Sequence, residues 1–196
     1  MGTDNEIRNR FRVRSGDTLP HKTHNCTRET LAKFMGDMAF QAGAEIGVAK
    51  GDFSLVLCSY IPNLKLKLID PWDTFGRRTT RESNEKNLQR AMNRLKGFPN
   101  CEFIRKGSLD AVKDVPDNSL DFVYIDEMHE FDPVMMDLIQ WSPKVRSGGI
   151  VSGHDYSNVF YQFGVIQAVH SYTYIHNIYN WYITSDDVHP SFFWVK

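Results

Sequence analysis

Glu45-Ile46-Gly47-Val48-Ala49-Lys50-Gly51 is the stretch on which the reading of this chain turns. A short apolar lead, Ala42 and Ala44, precedes it, and Asp52-Phe53-Ser54-Leu55-Val56-Leu57 follows. That order reads as strand, glycine turn, helix. Asp70 stands 19 residues past Gly51 and closes the apolar run Leu64-Lys65-Leu66-Lys67-Leu68-Ile69. A glycine-rich turn after one strand and an acid at the end of the next is an arrangement that serves nucleotide-containing cofactors.

Outward from this unit, Thr27 is placed to cap a helix running to residue 41, with Leu31, Phe34, Met35 and Met38 on one face. The opening strand is expected at 44–48, its helix at 52–60 and the second strand at 65–70. A charged amphipathic helix fits 81–96, with Leu88, Met92 and Leu95 as its seam and Gly97 at its end. A third strand fits 101–105, a fourth 120–126, a helix 131–141, a fifth strand 150–152 and a long helix 162–176. Two short aromatic strands, 180–184 and 191–195, lie too close for a crossover and should form a hairpin. Alternating strands and helices give an α/β fold, Rossmann-like, with a mostly parallel sheet and helices on both faces. The polar residues 1–27 read as a lead-in or lid, and 28–196 as one domain, the size that 196 residues allow.

The bulk composition narrows the function classes. A formal charge of −1 argues against a general nucleic-acid or anionic-membrane binder. No apolar run approaches the ~18 residues of a membrane span. Cys26, Cys58 and Cys101 are far apart in sequence and show neither metal-ligand spacing nor a disulfide framework. With no signal-peptide core at the start, a reducing cytoplasm is the expected home.

The turn 47–51 departs from the dinucleotide pattern G-x-G-x-x-G, because Glu45 stands where the first glycine would be. An acid there suits a cationic cofactor; the plain alternative is two turn glycines and a solvated strand residue. Asp70 is placed to accept both hydroxyls of a ribose, or is an exposed strand-end acid. Trp72 covers an adenine face or fills the core. Asp126 ends the fourth strand and His154-Asp155 the fifth, and strand ends form the ligand crevice of such sheets. Two carboxylates and an imidazole suit Mg²⁺, Mn²⁺ or Fe²⁺, or else hydrogen-bond a substrate. His129 is a candidate ligand or general base. Arg77, Arg78 and Arg81 form a basic patch that attracts an anion or merely faces solvent. The aromatic tail from Tyr172 to Trp194 fits a core or a homodimer contact.

Together, Glu45-x-Gly47-x-x-x-Gly51, Asp70-Pro71-Trp72, Tyr124-Ile125-Asp126-x-x-His129 and the block from Gly148 to Tyr156 resemble class I S-adenosylmethionine-dependent methyltransferases, most of all the bacterial type called methyltransferase family 24. The resemblance covers residues 28–196. It implies a seven-stranded sheet with a reversed last strand. It implies that the 47–51 turn, Lys50 included, holds the methionine part of S-adenosylmethionine, that Asp70 and Trp72 serve the ribose and adenine side, and that Ser108 lies near the adenine. The sulfonium charge accounts for an acid at Glu45, which alternatively orients the turn. Related enzymes hold a divalent ion at positions matching Asp126, His154 and Asp155, with Asp126 bordering the donor as well. His154 departs from the family's carboxylate at that place. Met128 replaces an acid that usually serves as base, leaving His129 or His154. The implied activity is methyl transfer to an oxygen, or a nitrogen, of a small molecule such as a sugar or secondary metabolite. A nicotinamide-dependent oxidoreductase and a non-catalytic binding domain are the competing readings.

Overall fold

The computed structural model describes residues 2–13, 18–73, 80–158 and 163–196. In chain order the elements are α1 (Thr3–Arg10), β1 (His21–Lys22), α2 (Arg28–Asp37), β2 (Ala42–Ile46), α3 (Asp52–Tyr60), β3 (Lys65–Ile69), α4 (Arg81–Leu95), β4 (Cys101–Ile104), α5 (Ser108–Ala111), β5 (Leu120–Ile125), α6 (Phe131–Trp141), β6 (Val145–Gly153), α7 (Val165–Ile175), β7 (Trp181–Ile183) and β8 (Phe192–Val195). The strands form one sheet in the order β1-β7-β8-β6-β5-β2-β3-β4. Every pairing is parallel except those of β8, which runs antiparallel to both β6 and β7.

Side-chain alternation along the strands divides the interior in two. Leu66, Leu68, Phe122, Tyr124, Ile150, Tyr182 and Phe193 face a core shared with α1, α2, α3 and α4. Ala44, Ile46, Val123, Ile125, Val151, Phe192 and Trp194 face a second core with α6 and α7. The helices begin where local chemistry satisfies their first N–H groups. Thr27 and Thr80 each form a reciprocal capping box, with Thr30 and Ser83 as partners. α3 instead starts at Gly51, whose φ of +74° is open to glycine at little cost.

The expected α/β class, helix-covered faces and reversed strand are present, but the sheet has eight strands rather than seven. The added strand is β1, two residues pairing with Tyr182 and Ile183. It is too short to show any periodicity. The segment read as a lead-in or lid also contains α1, whose Ile7 is buried in the first core together with Phe11 just beyond it. Its polar majority hides this: one turn-spaced pair of apolar residues is enough to seat so short a helix. β6 begins at Val145, five residues before the expected start, because Gly148 and Gly149 continue the strand instead of preceding it. Cys58 and Cys101, distant in sequence, bring their sulfurs to 3.5 Å as free thiols. Arg77 and Arg78 of the basic patch lie outside the described residues, as does the expected start of the 162–176 helix. Among the described residues no helix is long and apolar enough to cross a membrane.

Candidate functional site

β2, β5 and β6 are neighbours, and the strand order reverses between β2 and β5. The carboxyl ends of these strands open a crevice at the switch point, the usual ligand position in open α/β sheets. Gly47 leaves β2 with φ +88°, and a Cβ there would stand 2.2 Å from the Asp126 carbonyl oxygen. The turn therefore crosses directly over the end of β5, and only a glycine lets it pass.

Asp70 fixes that turn. Its carboxylate accepts the N–H groups of Val48 at 3.1 Å, Ala49 at 2.9 Å and Trp72 at 2.6 Å. The Trp72 indole N–H donates to the Ala49 carbonyl at 2.9 Å. Trp72 is only 1% exposed and packs on Phe103, so of the two expectations for it the core position is realised. Lys50 projects into solvent at the crest of the turn. Glu45, 1% exposed, accepts a hydrogen bond from the Ser54 hydroxyl of α3. Burial pushes its carboxyl up to about 8, against the Ser54 hydrogen bond and with help from the nearby Asp126 charge. Its hydrogen bond to Ser54 ties the end of β2 to the helix that follows.

A second group of side chains gathers at the ends of β5 and β6. His129 Nε2 lies 2.7 Å from Asp155 Oδ2 and 4.0 Å from Asp126 Oδ1. The closer contact is one of charge and not an aligned hydrogen bond, since Nε2 has no partner in good geometry. His154 Nδ1 is 3.4 Å from Asp155 Oδ2 and 3.7 Å from Asp126 Oδ1. One donor atom each from Asp126, His154 and Asp155 lie within 4.8 Å of one another, a set able to hold a divalent ion. The two acids differ in charge state. Burial raises Asp126 to about 6, opposed by His154 and reinforced by Asp155. Burial acts the same way on Asp155, but His129 and His154 outweigh it and hold that carboxyl well below its usual range. Burial works to lower His129, and Asp155 reverses this, so its imidazolium is favoured on balance. The His129 ring stacks on Phe163 with centroids 4.7 Å apart.

Beyond the turn, a cavity of about 450 Å³ lies between α5 and α6, lined by Ser108, Leu109, Glu127, Met128, Pro133 and Met136 among others. Ser108 donates its hydroxyl to buried Asp137 and accepts the Trp141 indole N–H at 2.7 Å. Burial raises Asp137 to about 6. Burial and the charges of Asp137 and Asp70 raise Glu127 to about 8, leaving it largely protonated and able to donate.

Two of these residues escape a reading of the sequence. Glu127 follows Asp126 directly, and its place past a strand end was the available signal. His189 brings Nδ1 to 3.8 Å from Asp155 Oδ1. It arrives from the loop between β7 and β8, where Tyr156 N–H donates to the Pro190 carbonyl at 2.9 Å. No local pattern marks it.

A family profile described as a methyltransferase domain matches residues 44–156. A search of curated proteins finds no match. Among solved structures, an O-methyltransferase from Bacillus cereus in complex with S-adenosylhomocysteine is 14% identical, with a TM-score of 0.62 over 99% of this chain and 90% of that one. The O-methyltransferase TomG from Streptomyces achromogenes, in complex with S-adenosylmethionine, is 16% identical, with a TM-score of 0.62 over 98% and 87%. The precorrin-6y C5,15-methyltransferase from Geobacter metallireducens is 11% identical, with a TM-score of 0.62 over 86% and 87%. At such identities the likeness is one of fold.

Proposed function

We propose, from the premise that this chain belongs to the methyltransferase-domain family matched by its residues 44–156, that it moves a methyl group from S-adenosylmethionine to an oxygen of a small-molecule acceptor. The observation that carries this reading is the side-by-side placing of three parts along one crevice: the glycine turn, the cavity beside Ser108, and the Asp126, His154, Asp155 and His129 group. The cavity's apolar walls and the protonated Glu127 suit a flat heterocycle with acceptor nitrogens, as an adenine is. The two bound O-methyltransferase relatives favour oxygen as the accepting atom.

In the reaction the carbon–sulfur bond of the sulfonium breaks as the oxygen–carbon bond forms, and the acceptor hydroxyl gives up its proton. The 47–51 turn and the β5 end hold donor and acceptor in line, and such positioning supplies much of the rate. His129 in its neutral form takes the proton, and Asp155, 2.7 Å from its Nε2, stabilises the imidazolium that results. Asp126, His154 and Asp155 have the donor chemistry for Mg²⁺, Mn²⁺ or Fe²⁺. A divalent ion held there supplies Lewis acidity that lowers the pKa of an acceptor hydroxyl.

Thermal-shift titration separates this reading from a nicotinamide enzyme. S-adenosylhomocysteine should raise the melting midpoint and NAD should not; the reverse result would overturn the reading. Asp126→Ala should abolish turnover and leave S-adenosylhomocysteine affinity within a few-fold. Unchanged turnover would remove the role given to the acid and metal group.

A further inference from the structure

Arg28 is a cation that lies over a ring at the start of α3 and has no carboxylate partner among the described residues. It is the first residue of α2, half-buried, and its backbone N–H donates to Asp187 Oδ2 at 2.8 Å, which clamps the start of the helix to the loop between β7 and β8. Its guanidinium carbon lies 5.3 Å from the centre of the Phe53 ring. Phe53 is the second residue of α3, directly after the glycine turn, and its ring packs 4.2 Å from that of Tyr124. The guanidinium is thereby held over the junction of the turn and α3. Its charge reaches both Glu45 at the end of β2 and Asp126 past the end of β5, favouring the ionised form of each.

Arg10, Arg94, Arg105 and Arg146 each pair with a carboxylate, at 2.6–3.0 Å. No carboxylate among the described residues forms an ion pair with Arg28. Glu45, whose ionised form the Arg28 charge favours, is hydrogen-bonded to Ser54 instead. The helix beneath adds to the imbalance: α3 opens on Gly51 with no side-chain cap, so its first N–H groups present partial positive charge on the same side. A fixed guanidinium and an uncapped helix start make a site for a small anion, and the planar fork of arginine matches a carboxylate.

From this geometry we infer that Arg28 binds the α-carboxylate of the donor's amino-acid part and so fixes the end of the donor remote from the adenine cavity. The inference rests on S-adenosylmethionine being the donor. Arg28 is a positioning residue: it touches no atom that reacts, and it sets how far along the crevice the sulfonium sits.

The test compares S-adenosylhomocysteine with 5′-methylthioadenosine, which keeps the nucleoside and sulfur but lacks the amino acid. Affinities are measured by calorimetric titration on wild type, Arg28→Met and Arg28→Lys. Arg28→Met keeps the length and the contact with Phe53 while removing the charge. It should weaken S-adenosylhomocysteine by about 10–100-fold, as expected for loss of a charge-assisted pair, and leave 5′-methylthioadenosine unchanged. Arg28→Lys should recover part of the loss. Equal weakening of both ligands, or none of either, would overturn the inference while the donor assignment stands. If wild type binds neither ligand, the donor assignment falls and takes the inference with it. Matching melting midpoints of the ligand-free proteins confirm that the variants are folded.

Discussion

Glu45 and Asp70 show how two acids beside one turn come to different tasks. Asp70 is half-buried and its carboxylate ties three backbone N–H groups of the turn together. Glu45 has one hydroxyl donor and is otherwise enclosed, so the neutral form wins. Removing the first should cost more than removing the second. Asp70→Ala strands the N–H groups of Val48, Ala49 and Trp72, and chemical denaturation should report a loss of about 2–4 kcal/mol. Glu45→Gln keeps an acceptor for Ser54, and its effect should depend on pH. The folded value near 8 lies above the unfolded value of 4.5, so the native state holds the proton more tightly. The associated stability is present below about pH 4.5 and is lost as pH rises toward 8. Melting midpoints of wild type should thus fall more steeply between pH 6 and 8.5 than those of Glu45→Gln, and equal slopes would refute the neutral assignment. Sequence spacing placed both acids at the turn. It did not reveal their partners, or the burial that keeps the Glu45 proton, which only the folded chain supplies.

At the scale of the element, legibility followed length and capping. α3 and α6 begin and end where composition places them, because Gly51 and the flanks of 131–141 leave little choice. The capping box at Thr27 was visible as a helix start, though the helix stops four residues short of 41, since Ala39 adopts φ +57°. Thr27→Ala should cost about 1 kcal/mol, a fall of roughly 2–4 °C in melting midpoint for a chain of this size. β1, α1 and α5 were not legible: each is shorter than the two or three turns, or the four or more alternating residues, that a periodic signal requires. The His189 approach to Asp155 was hidden for a related reason. It depends on how a hairpin loop folds back across the sheet, and no residue near His189 in sequence records that.

For the whole molecule, the N-terminal segment is woven into the sheet. Thr3 donates its hydroxyl to the Gly148 carbonyl, Tyr182 donates to Asp4, and Phe11 packs on Phe34. Deleting residues 2–12 removes two large side chains from the first core, a loss of about 3–6 kcal/mol. A melting midpoint unchanged by that deletion would mark the segment as a detachable lid. The titrating groups also act together. Asp155 is held low, so its contribution is present above the ordinary carboxylate range and is lost as the medium becomes acidic. Glu45 and Glu127 are held high, so theirs declines as pH rises to about 8. Stability measured across pH should peak near about pH 5 and decline on both sides.

The reversed strand β8 sits between β6 and β7, and among the described residues β1 joins the sheet through β7. β8 is also the last strand in the chain. During vectorial synthesis β1 therefore leaves the ribosome well before β8, through which β7 and β1 reach the rest of the sheet. Until residues 192–195 emerge, β7 has no partner on its inner side, and β1 has no place to dock. Five strands, β2 to β6, can assemble before then, but the two at that edge must wait for β8. A nascent chain stalled just short of β8 should accordingly protect its β2, β3 and β5 amides from proteolysis or exchange while leaving its first 22 residues open.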